Sequence, residues 1–265
     1  NLTFVPLFLI LVLLMPIGGH SSWRKTSFKH LWSALRGTVL ITMIAFAVFL
    51  VFYYERAPMA ALGLTFGVWV MSGTLSDLYL RARPPSSVSA QKGFLKAVRL
   101  KHLKASYFGM CLAHFSVGVV IMGVSAVSLL TVEKQMLLSV GEQESFKGGQ
   151  LRLLELNEQD GPNYRADVAL LEYLDQSGDR HFLTPENRTY IGGRQTVEAS
   201  IKTHVFYDLY AVFAKLDEGH QINVSIYYKP LAFWLWLGGA LMFVAALLSL
   251  SDQRQIRPKT NLSKT

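Results

Sequence analysis

One residue stands out for the chemistry it could do: His114, in the run Tyr107-Phe108-Gly109-Met110-Cys111-Leu112-Ala113-His114-Phe115-Ser116-Val117-Gly118. The apolar stretch from Ser106 to Thr131 around it contains no Asp, Glu, Lys or Arg. At a rise of about 1.5 Å per residue, His114 falls about 12 Å into a helix starting at Ser106. Hydrocarbon at that depth offers neither water nor a counter-ion, so an ionisable side chain there is a functional hypothesis by default. A neutral imidazole is a standard ligand for haem iron, and ligation would satisfy its acceptor nitrogen. Gly118, one turn along the same face, removes a side chain where a flat porphyrin edge could approach. The residues leave a second reading open, in which His114 only hydrogen-bonds a neighbouring helix.

The other chemistry-bearing residues have plainer readings. Met110 and Cys111, at i−4 and i−3 from His114, are soft donors, but both side-chain types ordinarily fill space in an apolar core. Cys111 is the only cysteine, so neither an intrachain disulfide nor a cysteine zinc site can form. His181, His204 and His220 read as separate surface histidines, since no pair has the spacing of a metal site. Asp77, next to Arg81 and Arg83, reads as a solvated interfacial carboxylate. There is no Gly-x-Ser-x-Gly elbow, Walker loop or HExxH, and a hydrolase or NTPase is unsupported.

These residues must be held by elements suited to a bilayer. The chain of 265 residues is 51% hydrophobic and only 17% charged, against about 25% charged in an ordinary soluble domain. Five stretches approach the roughly 20 apolar residues that a span requires: Leu2 to Gly19, Gly37 to Tyr54, Pro58 to Ser76, Ser106 to Thr131 and Pro230 to Ser251. Five transmembrane helices are therefore expected. Gly63 and Gly67 in the third form a GxxxG pair, the signature of close helix packing. Tyr53 and Tyr54, and Tyr227, Tyr228, Trp234 and Trp236, sit where aromatic belts form at membrane interfaces.

The net charge of +8 does not point to nucleic acid, because the basic residues flank hydrophobic runs. Arg24, Lys25, Lys29 and Arg36 fall in the first connection; Arg81, Arg83, Lys92, Lys96, Arg99, Lys101 and Lys104 in the third; Arg254, Arg257, Lys259 and Lys264 in the tail. The positive-inside rule assigns these segments to the cytoplasm. The N-terminus, the Glu55-Arg56-Ala57 turn and residues 132–229 then lie on the opposite side. The organisation expected is a four-helix membrane region with basic cytoplasmic loops (1–131), an extracytoplasmic β-rich domain (132–229), a final helix (230–251) and a cytoplasmic tail (252–265). The opening Asn1-Leu2-Thr3, with no initiator Met and no cleavage signal, reads as the later part of a longer polypeptide.

Residues 132–229 read as strands. Period-two alternation runs through Gln150 to Leu156, Tyr164 to Leu174, Thr196 to Thr203 and Gln221 to Tyr228. Turn chemistry separates them at Gln159-Asp160-Gly161-Pro162, Gln176-Ser177-Gly178-Asp179 and Asp217-Glu218-Gly219. A compact antiparallel sheet or small barrel is expected, inserted before the last helix.

Three stretches carry a resemblance that spans nearly the whole chain. They are Gly109 to Val119; Pro185-Glu186-Asn187-Arg188-Thr189-Tyr190 with Thr196 to Ile201 and Asp208-Leu209-Tyr210; and Lys229-Pro230-Leu231-Ala232-Phe233-Trp234-Leu235-Trp236-Leu237-Gly238-Gly239. In these the chain resembles the C-terminal portion of the CcmF-type cytochrome c haem lyases of System I cytochrome c maturation. It departs from the family pattern at Ser116, where the family has Gly, and at Gly18-Gly19-His20-Ser21, where the family has Gly-x-Gly-Pro.

The resemblance implies a haem b held in the membrane by two histidines on different helices, with His114 matching the second. The first, together with the Trp-rich haem-handling segment and an external histidine pair, belongs to the family's N-terminal half, so this chain by itself would be inactive. It further implies a bacterial inner-membrane enzyme that adds the two thiols of an apocytochrome CxxCH motif across the haem vinyl groups, outside the cytoplasm. The implied partners are the N-terminal half of the lyase, a haem chaperone carrying haem, apocytochrome c, other maturation subunits and the lipid bilayer. The rival is a non-catalytic membrane scaffold or transporter accessory subunit with an extracytoplasmic interaction domain. A permease is disfavoured by the scarcity of polar residues in the spans.

Overall fold

A computed structural model describes residues 3–21, 26–55, 57–82, 103–215 and 221–251, and divides into two compact units. Residues 1–125 with 234–265 form a helical unit, and residues 126–233 a β unit.

The helices are α1 (Phe4–His20), α2 (Phe28–Tyr53), α3 (Pro58–Ala82), α4 (Ala105–Leu130) and α5 (Ala232–Leu250). Ser27 caps α2, its hydroxyl accepting the backbone N–H of His30 at 3.3 Å. Pro58 opens α3, at the position where its missing N–H leaves no intrahelical bond unmade. Among the described residues four helices, α2 to α5, are long and apolar enough to cross a membrane, where five were expected. The exception is α1: its 17 residues reach about 25 Å at 1.5 Å per residue, short of a hydrocarbon core of about 30 Å. Helices α2 and α3 also outrun their apolar stretches, starting at Phe28 and ending at Ala82. Backbone hydrogen bonding continues beyond the segment whose side chains suit hydrocarbon, and this places Lys29, Arg36, Asp77 and Arg81 on helices.

Glycines set the spacing of the bundle. A side chain at Gly67 of α3 would meet the carbonyl oxygen of Gly118 in α4 at 2.9 Å, and one at Gly118 would meet that of Gly67 at 2.9 Å. Gly63 likewise faces Ser125, so the GxxxG pair serves close packing of α3 on α4. Gly73 of α3 makes room for Pro16 of α1, and Gly109 of α4 for the backbone of Ala245 and Ser249 in α5.

The β unit has two antiparallel sheets. One has the order β1 (Val132–Ser139), β10 (Gln221–Pro230), β9 (Tyr207–Lys215), β8 (Ser200–Thr203). The other runs β2 (Gln143–Phe146), β3 (Gly149–Asp160), β4 (Tyr164–Leu174), β6 (Glu186–Tyr190), β7 (Gln195–Glu198), with β5 (Arg180–Leu183) also paired to β4. Their facing sides supply one core. Leu151 and Leu153, Ala169 and Leu171, Leu209, Ala211 and Phe213, and Ile222, Val224 and Ile226 alternate into it. The chain enters through β1 and leaves through β10, which pair from Val132↔Tyr228 to Ser139↔Gln221. The run read as one strand, Thr196 to Thr203, is broken at Ala199, where the chain passes from one sheet to the other. The turn read at Asp217-Glu218-Gly219 and the tail 252–265 lie outside the described residues.

Candidate functional site

On α4, Tyr107, Cys111, His114, Gly118, Met122 and Ser125 recur at three- and four-residue spacing and form one stripe. Its far end is the seam with α3, so this stripe faces inward. His114 is half-buried and shares a cleft with Met15, Pro16 and Gly19 of α1, with Gly73, Thr74 and Asp77 of α3, and with Met110 and Cys111. The cleft has a volume of about 10 Å³, room for about one water molecule and far below a porphyrin. The imidazole makes no hydrogen bond to any described residue, whereas the hydroxyl of Ser116, two residues on, bonds the Ala113 carbonyl at 2.7 Å.

Gly118 corrects one expectation. The space left by its missing side chain is taken by α3: a Cβ would lie 2.5 Å from Cγ of Met71 and 2.9 Å from the Gly67 carbonyl oxygen. It is spent on helix packing and leaves no slot for a ring edge.

Asp77 corrects another. The carboxylate is buried, with 6% of the residue exposed, because α3 continues past it and turns it toward α1 and α4. One carboxylate oxygen accepts the Tyr107 hydroxyl at 2.8 Å and the other the Arg81 Nε–H at 3.0 Å. Arg81 donates a second hydrogen bond to the Gly19 carbonyl at 3.2 Å, and its guanidinium lies 5.0 Å from the centre of the Tyr107 ring. His20, the last residue of α1, brings Nδ1 to 3.8 Å from Asp77, and its side chain is only 3% exposed. Its Nε2 is buried without a hydrogen-bond partner among the described residues. His114 is thus accompanied by a second buried histidine in the helical unit, part of a polar cluster that fastens α1, α3 and α4 beside the cleft. The signals for it were the i, i+4 pair Asp77/Arg81 and the Tyr107–Cys111–His114 stripe. Arg56, Arg83 and the basic residues from Lys92 to Lys101 lie outside the described residues.

In the β unit, two histidines read as separate surface residues are brought together. His181 and His204 meet edge to face with ring centres 4.9 Å apart. They continue into an aromatic array, Tyr173 stacking on His181 at 6.2 Å, His204 on Tyr207 at 4.6 Å and Tyr207 on Tyr228 at 4.8 Å. The cause is topological: β5 and β8, 20 residues apart in sequence, are placed side by side by the crossing between sheets. His181 Nε2 lies 3.3 Å from a carboxylate oxygen of Asp175. The Ser177 hydroxyl and the backbone N–H of Asp179 and Ser177 also donate to Asp175 and, with His181, hold its carboxyl down at about 2. Burial, then His181 and Lys202, lower the value for His204. Lys147, Tyr173, Asp175, Ser177, Tyr207 and Tyr228 border a cleft of about 430 Å³ whose walls are phenol rings with one cation and one carboxylate. Among the described residues no group of three His, Cys, Asp or Glu side chains is arranged to hold a metal ion, and His220 lies outside them.

Comparison with known proteins places this architecture. A family model described as the CcmF C-terminal β-sandwich matches residues 129–230. The cytochrome c-type biogenesis protein ccl1 of Rhodobacter capsulatus is 30% identical over 254 residues, covering 95% of this chain and 37% of that protein. The cytochrome c-type biogenesis protein CycK of Bradyrhizobium diazoefficiens is 28% identical over 96% of this chain and 38% of its own length. The corresponding protein CcmF of Escherichia coli is 25% identical over 100% of this chain and 39% of its own length. A solved structure titled cytochrome c heme lyase CcmF superposes with a TM-score of 0.70 at 20% identity, covering 93% of this chain and 39% of that one, and so shares the fold. The chain spans less than two-fifths of the length of the relatives it matches. With its helical unit and inserted sandwich, the chain is similar to the C-terminal portion of the CcmF-type cytochrome c biogenesis proteins, and residues 129–230 match their C-terminal β-sandwich.

Proposed function

We propose that this chain is the C-terminal component of a cytochrome c haem lyase, and that His114 supplies one axial ligand to a haem b held within the membrane. The observation that carries the reading is the His114 imidazole itself: half-buried on an apolar helix, inward-facing, with no hydrogen bond to any described residue. A histidine kept only for packing would be expected to bond a neighbouring helix. The donor fits the group, since a neutral imidazole offers one lone pair, on whichever ring nitrogen carries no proton. The cleft beside it is too small for a porphyrin, so the remaining walls of such a site, and the second histidine, are assigned to the N-terminal half of the lyase.

Haem bound there would supply one-electron transfer. This chain's residues have simpler tasks. The glycine seam of α3 and α4 keeps His114 at fixed height and rotation, and the Asp77 cluster ties α1 to both helices one turn away. None of these residues acts as nucleophile, because apocytochrome c brings its own CxxCH thiols. The β-sandwich is assigned a docking role for the haem chaperone, apocytochrome c or other maturation subunits. In this reading the protein sits in the bacterial inner membrane. The basic ends of α2, α3 and α4 face the cytoplasm with the C-terminus, and residues 132–229 are periplasmic. Four spans give that orientation to the sandwich whether or not α1 crosses; if it crosses, the N-terminus is periplasmic.

The test is the optical spectrum of this chain purified together with the N-terminal portion, for the wild type and for His114→Ala with and without added imidazole. A six-coordinate b-type spectrum, lost on substitution and restored by imidazole, is expected. An unchanged spectrum would return His114 to packing, and a complex without any chromophore would favour the scaffold reading.

A further inference from the structure

The loop joining β8 to β9, residues 204–206, carries two apolar side chains into solvent: Val205 is 56% exposed and Phe206 65%. A hairpin tip normally carries Gly, Asn, Asp or Ser, and exposing a Phe there needs an explanation. Its position supplies one. The Phe206 carbonyl accepts the backbone N–H of Leu231 at 2.8 Å, and Tyr207 is paired with Pro230. Leu231 is the residue immediately before α5, which is long and apolar enough to span a membrane. The tip is therefore bonded to the point where the chain turns from strand to spanning helix. Leu231 takes a left-handed backbone conformation there (φ 56°), and this sharp turn brings its N–H to Phe206.

The residues flanking this point have the make-up of a membrane interface. Lys229 Nζ lies 4.1 Å from the Tyr210 ring centre and 5.5 Å from that of Tyr227. Lys147 lies 4.8 Å from the Tyr228 ring centre, and Tyr228 stacks on Tyr207. Phe233, Trp234 and Trp236 follow in the first turns of α5. Aromatic rings with adjacent lysines are what settle at headgroup level, apolar faces inward and polar tips in water. The opposite end of the sandwich differs. There the β1–β2 turn presents Gly141 and Glu142 beside Val140, all exposed, about 23 Å along β1 from Val132 at 3.3 Å per residue.

We propose that the β8–β9 tip is a lipid anchor, with Val205 and Phe206 inserted at the headgroup–acyl boundary of the bilayer that α5 crosses. The chain enters and leaves the domain at paired residues, Val132 and Tyr228, so its two covalent tethers lie side by side. A third contact through the tip would hold the sandwich upright and its tyrosine-lined cleft at one height. The inference rests on α5 spanning a membrane and does not depend on haem binding by His114, so the two fail separately.

The test is a nitroxide at position 206 (Phe206→Cys) of the full chain in nanodiscs of phosphatidylethanolamine and phosphatidylglycerol, with Cys111 replaced by Ala. Gln143→Cys, at the other end of the sandwich, is the aqueous control. Collision with oxygen, which concentrates in lipid, is compared with collision with a water-soluble nickel chelate. Oxygen is expected to dominate at 206 by several-fold and the chelate at 143. Chelate dominance at 206 would overturn the proposal, and so would shielding from both reagents, which would mean a protein partner covers the tip. Val205→Cys repeats the measurement should the 206 variant fail to fold.

Discussion

His114 and Asp77 show how differently two intramembrane polar residues can be read. His114 stood out in the sequence as the one histidine in an apolar run, and the structure places it half-buried on α4. Asp77 did not stand out, because a carboxylate followed by two arginines reads as the end of a span. Only the approach of α1, set by Gly73 against Pro16, turns it into the shared acceptor of Tyr107 and Arg81. Hydrogen bonds to charged groups contribute about 1.5–3 kcal/mol each, and losing a shared acceptor leaves its donors unsatisfied. Asp77→Ala is expected to lower the thermal unfolding midpoint of the helical unit in detergent clearly more than Asp77→Asn, which keeps an acceptor for one donor; equal midpoints would mean that the cluster is idle. The β unit has its own titrating pair. His204 is held below its ordinary value, so the unfolded chain takes up a proton first, and the associated stability is present at neutral pH and lost as pH falls through about 6.5. Asp175, lowered to about 2, adds stability above its ordinary value of 3.8 that is lost as pH falls from there toward about 2. Tyrosine-fluorescence melts should step down in both windows, and His204→Phe should remove the upper step alone.

The elements most legible in the sequence were those with one polar face. β10 alternates cleanly, and the structure places β4 at Tyr164–Leu174 as read and extends the strand read at Gln221 to Tyr228 as far as Pro230. β9 was missed because Leu209, Ala211 and Phe213 point inward while Tyr210 and Val212 on its other face are also apolar or aromatic, which erases the period of two. The break at Ala199 was missed since a strand that changes sheets keeps its alternation on both sides. Among the helices, the tight seam between α3 and α4 gives a sharp contrast in glycine tolerance. Gly118→Val would drive a side chain toward a backbone oxygen 2.9 Å from its Cβ, and backbone cannot move aside as a side-chain tip can. Overpacking of this kind costs about 1–3 kcal/mol. Gly37→Ala in α2, with nothing within 4 Å, should instead stabilise by about 0.5–1 kcal/mol through helix propensity. Urea or thermal unfolding of the two variants in detergent should move in opposite directions, and a neutral Gly118→Val would mean the seam is loose.

For the molecule as a whole, composition and hydropathy gave the division into a membrane-spanning part and one inserted β domain, and the relatives match along both. The number of spans did not follow, since α1 is apolar throughout but a turn too short. Residues 126–233 contain both β1 and β10, so every strand of the sandwich has its partner within that segment. Expressed by itself, it should give a β-type circular dichroism spectrum and one cooperative melt; a segment ending before Gln221 should not, having lost the central partner of both β1 and β9.

The adjacency of β1 and β10 also dictates a timetable. Ser139, at the end of β1, pairs with Gln221, 82 residues later in synthesis. At about 5–20 residues per second, a ribosome takes roughly 4–16 s to cover that distance. Until then β1 trails an open edge that nothing yet synthesised can cover. The strand that closes it is also the last segment made before α5. Completion of the sandwich and arrival of the final helix thus fall within about 1–4 s of each other at these rates, so a stall between residues 139 and 221 would strand an anchored, aggregation-prone half-domain.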